Sequence, residues 1–134
     1  IEKVINNIFL QLEVKKINSL NSEIDKKISW SKVKKLIRSK LFTIGGHSHR
    51  HISLTSIPLI EAKIEIDTSI KLFKKNIGIN LEHYSYPEGQ KKDFNVDIKK
   101  YLKKRGIKIC PAAITGFNNI RSDLFNLKRI PIDV

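Results

Sequence analysis

From residue 28 onward, apolar positions alternate between helical spacing and short continuous runs. Trp30, Val33, Leu36 and Ile37 fall on one helical face, and Ser29 precedes them as a capping side chain, so a helix is predicted from Trp30 to about Ser39. Phe42-Thr43-Ile44-Gly45-Gly46 reads as a short buried strand running into a bend that glycine permits. A long helix is predicted next. Ser56 is its cap, Pro58 lies in its first turn, and Ile60, Ile64, Ile70, Phe73 and Ile77 form its apolar stripe. Gly78 suits the position just past its end. Tyr84-Ser85-Tyr86 is a short strand that stops at Pro87-Glu88-Gly89. Either Asp93 or Asn95 can cap a further helix through Tyr101 and Leu102, closed by Gly106. Ile107 to Ala113 reads as a strand broken by Pro111, which places that end at an edge or loop. A loop with Gly116, Asn118 and Asn119 leads to a last strand, Leu127 to Ile132.

The first residues fit two readings. Ile1, Val4, Ile5, Ile8, Phe9 and Leu12 follow helical spacing, whereas residues 7–12 also suit a short strand. Ile17 to Lys27 is polar and reads as a loop. The order of strand, helix, strand, helix, strand, loop, strand argues for an α/β fold of parallel βαβ units. In such folds functional groups gather where strands end. At 134 residues the chain is long enough for one compact domain and short for two.

Composition narrows the picture. Hydrophobic residues make up 40%, which is not a disordered composition. No apolar run approaches the roughly 20 residues that span a bilayer, so no transmembrane segment is expected. Methionine is absent and the start lacks the form of a signal peptide, from which an excerpt of a longer chain is expected. The single cysteine, Cys110, excludes an internal disulfide and reads as a small buried hydrophobe. A net charge of +13 raises nucleic-acid binding. The charge is spread, however. Residues 1–46 carry 10 basic and 4 acidic side chains, and residues 47–134 carry 16 and 9. Solvated helix faces account for most of it, and no nucleic-acid partner is expected.

Candidate chemistry is concentrated after the first predicted strand. Gly45-Gly46-His47-Ser48-His49-Arg50-His51 holds three of the four histidines. His47 and His51 are four apart, so a helical turn would bring both imidazoles to one side, as ligands for zinc or a similar divalent ion. A catalytic zinc usually takes three protein ligands, and no single acidic residue stands out as the third. Tyr84-Ser85-Tyr86-Pro87-Glu88-Gly89 ends a strand with backbone N–H groups that can face a developing oxyanion. Arg129, in Leu127-Lys128-Arg129-Ile130-Pro131, has the forked donors that hold a carboxylate.

Together these segments resemble the polysaccharide deacetylase family, carbohydrate esterase family four, with its NodB-homology domain. The Trp30 helix resembles the family's Trp-led helix, and Phe42 to His51 resembles its metal motif, Gly-x-His-Thr/Ser-x-x-His. On that match His47 and His51 are metal ligands and Ser48 supports the loop, while His49 falls at a variable position. Tyr86-Pro87-Glu88-Gly89 resembles the Pro-Tyr-Gly loop, which implies an oxyanion role for the Glu88 N–H and substrate contact at Tyr86 and Pro87. Lys103 to Ile107 resembles the helix–Gly–strand step, and the Arg129 stretch resembles the segment closing the domain and gives Arg129 a supporting role.

The resemblance implies a partial (β/α) barrel of mostly parallel strands with flanking helices. It implies a single domain over 1–134 that is truncated at its N-terminus, with 1–27 a poorly defined lead-in and 28–132 the family-like core. The implied activity is metal-dependent hydrolysis of N- or O-acetyl groups on a polysaccharide, a carbon–nitrogen (non-peptide) bond in the amide case. The implied cofactor is a divalent metal, foremost zinc, and the implied location is extracytoplasmic or in the cell envelope. The sequence also departs from the family. The Thr-Phe-Asp-Asp-Gly motif that supplies base and third ligand is absent, and no histidine follows His83 to serve as general acid. Ile52, Ser85 and Glu88 replace the usual Pro, Arg and Tyr. These residues alone are therefore expected to be inactive. A non-catalytic carbohydrate-binding or scaffold relative is the first alternative, and a basic nucleic-acid module the second.

Overall fold

A computed structural model describes residues 26–132. The two readings of the first twelve residues, and most of the predicted polar loop, lie outside the described residues. Helix α1 spans Trp30–Arg38, α2 Leu59–Ile77 and α3 Val96–Lys104, with a 3-10 turn at Lys91–Asp93. Strand β1 spans Pro111–Thr115 and β2 Leu127–Arg129, and the two pair in parallel.

The capping chemistry acts as expected at three helix ends. The Ser29 hydroxyl accepts from Lys32 N–H at the start of α1. Asn95, rather than Asp93, caps α3, its Oδ1 accepting from the N–H groups of Asp97 and Ile98. Asp93 instead closes the preceding 3-10 turn in a capping box with Gln90. Gly78 ends α2 at φ 87°, a left-handed conformation that costs glycine nothing.

The start of α2 differs from the prediction. Pro58 is the cap residue and offers no side-chain hydrogen bond, and the Ser56 hydroxyl donates to Ser53 O instead. Ile70 and Phe73 of the predicted stripe pack against the core, but the buried face is rotated in the first half of the helix. Ala62, Glu65, Ile66 and Ser69 are buried, whereas Ile60 and Ile64 of the predicted stripe are 65% and 57% exposed. Small side chains at 62 and 69 let the helix approach the core closely.

The strand segments form a parallel series. Gly46 bridges Tyr84, His83 bridges Ile109, and β1 continues from Pro111 to pair with β2. The predicted buried strand at 42–46 reduces to the single bridge at Gly46, and Phe42 is 53% exposed. Pro111 does not break a strand but begins one, where its missing N–H breaks no ladder bond. The last strand stops at Arg129 rather than Ile132.

Between the helices and this series lies one core. Leu54, Ala62, Ile66, Leu81, Tyr84, Tyr86, Ile98, Leu102 and Cys110 are all almost wholly buried. Each large apolar side chain of this kind contributes about 1.5–3 kcal/mol on burial. Burial pushes the Cys110 thiol up to about 12, so it remains an unreactive protonated group, as the apolar reading implied. Tyr86 stacks on Phe94 with ring centroids 4.2 Å apart, and its hydroxyl donates to Phe125 O at 2.9 Å. Tyr86→Phe leaves that carbonyl without its donor, and a loss of about 1–2 kcal/mol is expected in urea unfolding.

Candidate functional site

The histidine loop leaves the parallel series at Gly46. Gly46 N–H donates to His83 O and Gly46 O accepts from Ser85 N–H, both at 2.9 Å. This ladder sets the histidines beside the strand end that carries Pro87-Glu88-Gly89. No side chain fits at 46, because a Cβ there would stand 2.4 Å from the Tyr84 ring. Gly46→Ala is expected to displace that buried ring at a cost of about 1–3 kcal/mol, read as a lower denaturation midpoint.

The His47 and His51 rings lie 4.8 Å apart, centroid to centroid. A helical turn does not achieve this, since residues 47–51 are non-helical. The backbone instead turns back through left-handed residues, Ser48 at φ 56° and His51 at φ 57°. Glu88, on the facing turn, has φ 59°. A non-glycine residue in this region costs of order 1–3 kcal/mol, and such strain clusters at functional sites.

Several contacts hold the loop. Ser48 N–H donates to the Tyr84 hydroxyl at 2.7 Å, and the same hydroxyl lies 3.3 Å from Ser69 Oγ. Burial raises Tyr84 to about 12, which keeps it a neutral phenol. Ser48 thus supports the loop through its backbone. Its own buried Oγ has no hydrogen-bond partner among the described residues. Glu65, 3% exposed, accepts from the N–H groups of His49 and Arg50 at 3.2 and 2.9 Å, and from Arg50 Nε at 2.7 Å. Burial raises this carboxyl, and the Arg50 hydrogen bonds and charge with the His49 N–H outweigh it, so Glu65 sits below its ordinary value of 4.5. The sequence reading passed over Glu65. The available signal was a charged side chain in register with Ala62, Ile66 and Ser69.

Beyond His51, Ser53 Oγ donates to the buried Asp93 at 2.7 Å, and Asp93 also accepts from Gln90 N–H at 2.9 Å. Asp93 so ties the histidine loop to the segment that follows the Pro-Glu-Gly turn. These residues line an open cleft of ≈ 510 Å³ with Thr55, Ser56, Glu88 and Lys92.

The other expected site residues are distributed as follows. Glu88 N–H donates no hydrogen bond among the described residues, so it is available to an oxyanion. Tyr86 and Pro87 are buried, which corrects the idea that their side chains face a substrate. The turn presents the Glu88 side chain and its backbone instead. Arg129 pairs with no carboxylate among the described residues; its Nε donates to Ala112 O at 2.7 Å and braces β1.

The two histidines fit a shared metal ion. His47 Nδ1 lies 3.0 Å from Ser85 O and 2.8 Å from Ser85 Oγ, and the tautomer that donates from Nδ1 to the carbonyl has its free lone pair on Nε2. Zn–N bonds of about 2.0–2.1 Å in tetrahedral geometry place two imidazole centroids about 5 Å apart. The observed 4.8 Å agrees. Among the described residues no group of three potential ligands forms, so a third ligand is not supplied there.

Comparison with known proteins decides the family. The polysaccharide deacetylase family profile matches residues 7–110. The chain belongs to the polysaccharide deacetylase family. The fold agrees. The BpsB deacetylase domain from Bordetella bronchiseptica is similar with a TM-score of 0.69 and 17% identity, over 79% of this chain and 49% of that one. IcaB from Ammonifex degensii gives 0.67 and 17%, over 81% and 49%. The Streptococcus pyogenes deacetylase PplD, solved in complex with acetate, gives 0.71 and 17%, over 97% and 58%. The chain thus spans about half the length of these solved relatives. No curated protein matches it. No described helix is long and apolar enough to cross a membrane.

Proposed function

We propose that the protein carrying these residues is a metal-dependent deacetylase of acetylated polysaccharides, removing N- or O-acetyl groups. The observation that carries this is the facing pair His47 and His51, 4.8 Å apart, beside a turn with an available amide. His47 and His51 would hold a divalent cation, foremost zinc, with further ligands from outside the described residues. Such an ion polarises an acetyl carbonyl and lowers the pKa of bound water toward ~7. The chain's own residues do the rest. The Glu88 N–H donates to the oxyanion, Ser85 positions the His47 ring through its contacts at Nδ1, and Glu65 and Tyr84 hold the loop. Action at the cell envelope fits an acetylated glycan substrate.

The 134 residues alone are inactive on this reading. The buried carboxylates near the site, Glu65 and Asp93, are already engaged in holding the loop and its neighbouring turn, and the Asp-Asp pair that supplies the family's base is missing from the sequence. Lack of a general base lowers the rate by about 10²–10⁴-fold. The test is acetate release from N-acetylated oligosaccharides by the protein carrying these residues. Release is expected to stop with a chelator and in His47→Ala. Chelator-resistant release would contradict the reading. A non-catalytic carbohydrate-binding relative is favoured by the departures at Ser85 and Glu88 and by the missing Asp-Asp motif. Glycan binding without any acetate release would identify it.

A further inference from the structure

The strand end that runs from Tyr84 to Gly89 faces both imidazoles. It already supplies the Nδ1 partner of one, since Ser85 O lies 3.0 Å from His47 Nδ1. Three residues on, Glu88 Oε1 lies 3.9 Å from His51 Nδ1. Both residues have a left-handed backbone, at φ 59° and φ 57°. We propose that the Glu88 carboxylate is the orienting partner of His51, accepting its Nδ1–H and so leaving the Nε2 lone pair for the cation shared with His47.

Four facts support this. Glu88 makes no other ion pair among the described residues, so its carboxylate is not committed elsewhere. Both side chains are more than half exposed, at 58% and 65%, so neither is locked by packing at the 3.9 Å separation. An imidazole in water favours the opposite tautomer, with the proton on Nε2, so His51 needs an acceptor at Nδ1 to become a ligand through Nε2. Metal-binding histidines almost always have such a partner, and its removal typically costs 10–100-fold in metal affinity. The arrangement makes the two histidines equivalent, one held by a backbone carbonyl and the other by a side chain of the same turn. Glu88 is then a positioning residue for His51 in addition to its backbone role, and the departure from tyrosine at this position has a use.

The inference deepens the metal reading and rests on it for its purpose, but its test does not need metal. Imidazole nitrogen shifts of His51 are measured by NMR in the metal-free full chain at pH about 8.5, where free imidazole is neutral. The expected result is the Nδ1–H tautomer in the parent chain, its loss in Glu88→Ala, and its retention in Glu88→Gln, whose amide oxygen still accepts. Cobalt(II) titration of the same three proteins is expected to show a 10–100-fold weaker affinity for Glu88→Ala alone. An Nε2–H tautomer of His51 in the parent chain, or one unchanged in Glu88→Ala, overturns the proposal. Cobalt binding that persists in His47→Ala with His51→Ala would instead sink the metal reading, whatever the tautomer shows.

Discussion

Glu65→Ala is expected to destabilise the domain by about 3 kcal/mol and to release the histidine loop. Breaking a buried ion pair can cost 3–5 kcal/mol. Here Arg50 is 61% exposed and rehydrates, so the upper part of that range does not apply. What remains is the loss of the acceptor that the His49 and Arg50 N–H groups share, and a hole on the buried face of α2. Hydrogen bonds to a charged group are each worth about 1.5–3 kcal/mol. Glu65→Gln keeps the volume and one acceptor oxygen and is expected to lose less. The pair also predicts a pH dependence. The folded Glu65 carboxyl lies below its ordinary value of 4.5, so its contribution is complete above that pH and is lost as pH falls through the folded value. Urea midpoints measured from neutral pH downward should fall more steeply for the parent chain than for Glu65→Gln. Equal acid limbs would show that Glu65 is not the coupled group.

The second large effect is on metal binding. His47→Ala or His51→Ala removes one of the two imidazoles that the loop brings together. The loss of zinc affinity should exceed the 10–100-fold that an outer partner costs. Stability should change little, because both histidines are exposed and contribute little to the core. Calorimetric titration with zinc beside urea unfolding separates these effects. A mutation that lowered stability and affinity together would point to loop collapse rather than ligand loss.

The elements that were legible in the sequence are those fixed by neighbours in the chain. Ser29 and Asn95 cap their helices through residues two or three positions away, and Gly78 ends α2 through its own φ. The parallel order followed from the alternation of elements. The closeness of His47 and His51 was also anticipated, though by the wrong route. Left-handed Ser48 and His51, not a helical turn, bring the rings together. What was not legible depends on distant partners. Glu65 belongs to the buried face of α2 only because the N–H groups of residues 49 and 50 reach it, a contact that no periodicity encodes. On the same helix Ile60 and Ile64 are left exposed. Arg129 bonds a carbonyl rather than a carboxylate because β2 lies beside Ala112, a register the sequence did not specify.

The most direct measurement is zinc K-edge X-ray absorption on the full 134-residue chain with protein in excess over zinc. The account predicts two imidazole nitrogens at about 2.0–2.1 Å, falling to one in His51→Ala. A spectrum with no imidazole scattering, or one that is the same in the His51→Ala chain, would contradict it.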